Sequence, residues 1–149
     1  MKRKESLYKL SHHHHHGLVM AQRLKKAGTQ ESSLTVQEVG EKLSQFWNEI
    51  GRQHFREEEE YVLPLYALHG EIERQEIVEM LLEHIRIRAM AEQLRRTPAN
   101  TAVMNELGLL LEAHIRKEER VIFPWIEEAI PDQELERLAE QLSDLIPHT

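Results

Sequence analysis

Apolar residues recur at helical spacing along four long stretches and a shorter fifth. In the first, from about Ser6 to Ala27, Leu7, Leu10, position 14, Gly17, Leu18 and Ala21 share a face, and Gly28 supplies a stop. Gly28 to Ser33 is a polar connection, and Thr35 with Glu38 has the form of a capping box that opens the second stretch. There Leu43, Trp47, Ile50, His54, Glu58, Tyr61 and Leu65 fall mostly on one side, and His69-Gly70 ends the run. The third covers roughly Ile72 to Arg96, with Ile77, Met80, Leu81, His84, Ile87, Ala91 and Leu94 on one face, before a break at Thr97-Pro98-Ala99-Asn100. The fourth runs from about Thr101 through Leu107, Leu110, Leu111, His114, Glu118 and Val121 towards Trp125. Pro131-Asp132 opens the fifth, whose apolar side is Leu135, Leu138, Leu142 and Leu145. Short connections imply antiparallel neighbours. The pattern predicts an all-α fold: an up-down four-helix bundle with a short additional C-terminal helix.

Composition narrows this picture without changing it. A chain of 149 residues is the size of one domain, and 6 glycines with 5 prolines are too few for a many-turned β-sandwich. The absence of cysteine excludes disulfides, thiolate metal sites and cysteine nucleophiles. A formal charge of −7, with no basic stripe carrying aromatics, disfavours nucleic acid as a partner. Met1-Lys2-Arg3-Lys4 is followed by no apolar stretch of signal-peptide length, and no run approaches the ~20 apolar residues of a membrane span. A cytoplasmic location without membrane attachment is the expectation.

The candidate chemistry comes from an internal repeat. Aligning His54 with His114 matches Arg56 with Arg116, Glu58 with Glu118, Glu59 with Glu119 and Pro64 with Pro124. Residues four apart on a helix project from one face, so His54 with Glu58, and His114 with Glu118, are each set to grip a metal. Ile50, Leu110 and Leu111 place these groups on apolar, inward faces. Burying imidazoles and carboxylates without partners costs several kcal/mol, which a metal pair removes. Imidazole and carboxylate donors without sulfur suit iron, manganese or zinc. Two glutamates able to bridge, with four histidines, fit a dinuclear site better than a mononuclear one.

His84, mid-helix between Leu81 and Ile87, is a further ligand candidate. His12 to His16 resembles a purification tag but lies within an amphipathic pattern; its inward stripe selects His14, with His13 and His15 as fallbacks. The other features read as structural. Glu57 to Glu60 is mostly a solvated face around an inward Glu58, Trp47 and Trp125 are packing residues, and Met80, Met90 and Met104 fill gaps. His69 sits at a helix C-terminus and His148 in a tail.

Taken together these residues resemble the hemerythrin-like, or HHE cation-binding, family, and the Ser11-to-Val19 stretch is similar to the first-helix motif of its bacterial branch. The resemblance covers about residues 7 to 126 of a single domain spanning 1–149, with the extra helix at about 132–145. It implies a four-helix bundle holding two iron ions in a non-haem di-iron centre. His14 and His54 would serve one iron, His84 and His114 the other, with Glu58 and Glu118 bridging. Two departures stand out. Oxygen-carrying hemerythrins have a histidine four residues before the third-helix ligand, where this chain has Met80. Their last carboxylate lies five residues after its histidine, which makes Glu119 the alternative to Glu118. One iron is then left with fewer protein ligands, which argues against reversible oxygen carriage.

Three functions compete on this reading. The first is a di-iron protein that binds or senses oxygen, an oxidant, nitric oxide or iron, with a small diatomic or oxidant ligand as partner and no enzymatic turnover. The second is a di-iron oxidase or peroxidase-like enzyme, which open metal positions permit. The third is a metal-free helical interaction module. The sequence leaves a protein partner and the oligomeric state open.

Overall fold

The computed structural model describes residues 5–144; Met1 to Lys4, Leu145 and His148 lie outside the described residues. Among the described residues there is no strand. Four long helices are present: α1 (Tyr8–Lys26), led by a 3-10 turn at Glu5–Leu7; α2, residues 36–67; α3 (Gln75–Arg96); and α4, residues 101–129. A shorter α5 (Asp132–Gln141) follows. Contacts at matched heights show α1 and α4 running antiparallel: Ser11 meets Glu119, Gln22 meets Glu112, and Asn105 meets the carbonyls that end α1. No helix among the described residues is long and apolar enough to cross a membrane.

Local chemistry sets the helix ends. Thr35 Oγ1 accepts from the N–H of Glu38 while the Glu38 carboxylate accepts from the N–H of Thr35, completing the capping box. Asn100 caps α4 through the N–H of Val103. Gly28 turns the chain out of α1 with φ +76°, a conformation that favours glycine. The third helix starts at Gln75 and not at Ile72, because the chain first makes a turn in which the N–H of Arg74 bonds the Glu71 carbonyl. Helix α4 continues past Trp125 to Ala129.

Three segments depart from α geometry. Trp47–Gly51, Glu58–Val62 and Glu118–Ile122 are π-helical. The N–H groups of Arg52, Leu63 and Phe123 reach back five residues, to the carbonyls of Trp47, Glu58 and Glu118. Pro64 and Pro124 stand just beyond the second and third segments. A proline lacks the N–H for an α turn, and its ring crowds the carbonyl four residues back. A widened turn before it relieves both conflicts.

The extra residue in the widened turns before Pro64 and Pro124 advances the positions after it by one. The expected inward residues Tyr61, Leu65, Val121 and Trp125 are therefore replaced in the core by Val62, Tyr66, Ile122 and Ile126, while Tyr61 stands 39% exposed. The core divides into two clusters. One contains Leu7, Leu10, Val62, Tyr66, Met80, Ile122 and Phe123; the other contains Met20, Leu24, Leu43, Ile87, Met104 and Leu111. Helix α5 closes the first with Leu135, Leu138 and Leu142, and Lys9 Nζ donates to the carbonyls of Ala139 and Leu142 at its end. On each long helix the inward histidine, His14, His54, His84 or His114, falls near the junction of the two clusters, as do Glu58 and Glu118.

Candidate metal centre

A buried polar layer thus separates two apolar ones, and its members come from all four long helices. His14, His54, His84 and His114 are at most 4% exposed, and Glu58 and Glu118 are fully buried. The ring Nε2 of each histidine faces inward. His14 Nε2 lies 2.9 Å from Glu118 Oε1, and His54 Nε2 lies 3.2 Å from Glu58 Oε2. His84 Nε2 is 3.2 Å from Glu58 Oε1 and 3.4 Å from Glu118 Oε2, while His114 Nε2 is 2.8 Å from Glu118 Oε2. The donors form two groups, His14–His54–Glu58–Glu118 and Glu58–His84–His114–Glu118, which share both carboxylates. All six residues expected from the sequence are brought together.

The outward-facing Nδ1 atoms show how the rings are held. His14 Nδ1 donates to Glu119 at 2.7 Å, His84 Nδ1 to Glu59 at 2.7 Å and His114 Nδ1 to Glu83 at 2.8 Å. Each carboxylate is anchored in turn: Glu119 by Ser11, Glu59 by Arg88 and Glu83 by Lys117. His54 differs, since its Nδ1 lies 3.0 Å from Nδ1 of His13, whose Nε2 lies 3.0 Å from the Ser143 carbonyl. A carbonyl only accepts, so His13 donates there from Nε2 and, neutral, accepts from His54 at Nδ1. Burial, followed by the neighbouring His54, pushes the His13 imidazole down to about 3, which keeps it neutral. Every inward Nε2 is thereby the ring atom that can turn a lone pair to the centre once a cation displaces its proton.

Aromatic faces complete the walls. Phe55 stacks on His84 with centroids 3.9 Å apart and planes 8° from parallel, and Phe123 stacks on His14 at 5.2 Å. The arrangement has a near-twofold logic in the sequence: Glu59 and Glu119, 60 residues apart, orient His84 and His14, and His13 and Glu83, one residue before His14 and His84, orient His54 and His114.

One expectation is corrected here, and the residues around it are placed. Glu57 to Glu60 is not mostly a solvated face: Glu57 is 1% exposed and accepts the backbone N–H of Ser143, while Glu59 holds His84 and Arg88. His13 is buried beside His14 and backs His54, whereas His15 is exposed. Glu118 lies in the cluster and Glu119 behind it, because the His-x-x-x-Glu spacing matches the α turn that precedes the widened one. His69 is paired with Glu134 at 3.0 Å. The outer partners Glu59, Glu83 and Glu119 went unrecognised in the sequence; their signal was the one-residue offset from the candidate ligands.

The polar layer fits a cation better than a proton network. Both oxygens of Glu58, Oε1 of Glu118 and Nε2 of His114 are buried without a hydrogen bond. His14 Nε2 and His54 Nε2 lie only 3.1 Å apart. Two nitrogens bound at right angles to one ion, each at about 2.1 Å, would be separated by about 3.0 Å. Burial opposes charge on His14 and His84, but the neighbouring carboxylates of Glu118 and Glu119, and of Glu118, Glu58 and Glu59, overcome it and raise them to about 10 and about 11. The carboxylates therefore demand positive charge from whatever sits between them.

A helical bundle with inward histidines and glutamates on facing helices defines a metal-binding protein of the four-helix class. A family model of the hemerythrin HHE cation binding domain matches residues 5–126, and the chain belongs to that family. Comparison with curated proteins and with solved structures gave no match.

Proposed function

We propose that the chain is a single-domain, non-haem di-iron protein whose task is to bind or sense a small molecule such as oxygen, nitric oxide or an oxidant. The observation that supports it most is the pair of four-residue donor groups sharing Glu58 and Glu118, with orphaned donor atoms aimed between them. His14 and His54 would hold one ion, His84 and His114 the other. Two irons would supply open coordination positions and redox change.

A narrow, partly open apolar cavity beside the cluster supports the small ligand. It measures about 30 Å³ and is lined by His54, His114, Phe55, Ile50, Ile87 and Leu111, among others. That volume exceeds the roughly 10–15 Å³ that one water needs, yet its walls offer water almost no partners. Such a space suits a diatomic molecule. In the family's third-helix position for a further histidine, Met80 is 1% exposed within the first apolar cluster, the one with Leu7 and Leu10, so the Glu58–His84–His114–Glu118 end draws on no additional imidazole there.

The test is anaerobic titration of metal-free protein with ferrous iron, metal analysis after gel filtration, then admission of oxygen. About two tightly held irons per chain and new charge-transfer absorption are expected. Fewer than one iron per chain would overturn the reading. If the cluster were a metal-free structural network, His54→Ala with His114→Ala would leave the iron content unchanged from wild type.

A further inference from the structure

A large groove lies outside the bundle between the first half of α2 and the second half of α3, with a volume of about 820 Å³. This is within the range of sites that take organic ligands. Its floor is apolar, formed by Leu43, Trp47, Ala91 and Leu94, and its rim carries Arg52, Arg56, Arg88 and Arg95. Two acids, Glu41 and Glu92, also line it. Glu92 is already bound by Arg95 at 2.6 Å. Arg56 and Arg88 lean on Glu60 and Glu59, but a guanidinium has five donors, and Arg52 stands exposed one turn before Arg56. Glu59, Glu60 and Glu92 thus each pair one of these arginines, and the cation left over beside the apolar floor is Arg52, next to the spare donors of Arg56.

The floor is also a shared wall. Leu43, Trp47 and Ala91 line the groove on one side and the 30 Å³ cavity beside His54 and His114 on the other. Gly51 lets the indole lie back across the helix, since a Cβ there would come 2.5 Å from Trp47 Cε3. Trp47 in turn meets Phe55 edge-on at 5.5 Å, and Phe55 stacks on His84.

We propose that the groove binds an amphipathic organic anion. Its apolar body would rest on Trp47, Leu43 and Leu94, and its acid head would be held by Arg52 and Arg56. An occupant there covers the outer face of the wall that closes the inner cavity. The proposal does not require the metal centre to be loaded, so it stands or falls separately from the di-iron reading.

Anilinonaphthalene sulfonate, an aromatic anion with environment-sensitive emission, is the probe. Trp125→Phe leaves Trp47 as the remaining tryptophan donor, so energy transfer locates the probe. Titration of the full chain, with and without iron, is expected to saturate at one probe per chain and to quench Trp47. Arg52→Glu with Arg56→Glu should weaken binding roughly tenfold or more, the size expected for losing charge-assisted hydrogen bonds. Arg137→Glu on α5 should leave it unchanged. The uncharged analogue N-phenyl-1-naphthylamine, used on the unaltered arginines, should bind weaker by a similar factor. Equal binding of the uncharged analogue, binding that survives the double reversal, or saturation without quenching of Trp47 would each overturn the proposal.

Discussion

At the scale of single residues, the site depends on atoms that do not face its centre. Glu119, Glu59 and Glu83 each receive an Nδ1–H from one inward histidine, fixing ring orientation and tautomer. Such outer partners commonly carry roughly 10–100-fold of metal affinity. Glu83→Gln and Glu119→Gln are therefore expected to keep the helical circular dichroism and lose affinity by that order in a chelator competition. An unchanged dissociation constant would show that the rings are held by packing alone. His13→Ala removes the partner of His54 and should act in the same direction. In the sequence the inward histidines were visible because they interrupt apolar faces; their outer partners were not, since a surface glutamate looks the same whether or not it reaches behind a ring.

At the scale of elements, close approach of α1 and α4 rests on two glycines. A Cβ on Gly17 would meet Ile115 Cδ1 at 2.7 Å, the end of a side chain that can turn aside. A Cβ on Gly108 would meet the Ala21 carbonyl oxygen and the Lys25 backbone nitrogen, each at 2.8 Å, which cannot. Gly108→Ala should thus destabilise the fold by about 1–3 kcal/mol despite alanine's better helix propensity. At Gly40 a Cβ finds its nearest neighbours at 3.5 and 3.6 Å, so Gly40→Ala should stabilise by about 0.5–1 kcal/mol. Urea midpoints of the two variants should move in opposite directions. Helix positions and caps were legible from periodicity and from the Thr35–Glu38 pair. The π-helical turns were not, because apolar spacing assumes 3.6 residues per turn throughout, and Pro64 and Pro124 entered the reading only as matched positions of the repeat.

At the scale of the whole molecule, the buried layer couples folding, protons and metal. Metal-free, His14 and His84 are raised to about 10 and about 11 against an ordinary 6.5. The folded chain then binds more protons than the unfolded one between those limits. This stabilisation is full below pH 6.5 and is lost as pH rises through 10 to 11. Metal-free protein should melt at a lower temperature at pH 9.5 than at pH 6.5. Iron loading at pH 7 should release protons, seen as a calorimetric heat that varies with the buffer's ionisation enthalpy. A heat independent of buffer would mean the layer is neutral before loading. Bound metal should also raise the melting temperature, since it is held by the folded state alone.

By itself the sequence determined the five helical stretches, the repeat of His-x-x-x-Glu with its proline, and the six residues able to converge, because each is written in local spacing along one helix. The tertiary structure decided what depends on phase and on neighbours: that the turns at Glu58–Val62 and Glu118–Ile122 widen, that Glu118 faces inward while Glu119 braces His14, and that His13 joins His54 to Ser143. It alone placed Trp47 between an inner cavity and an arginine-rimmed groove. Those facts arise where helices meet, and the distance between two residues there bears no fixed relation to their separation along the chain.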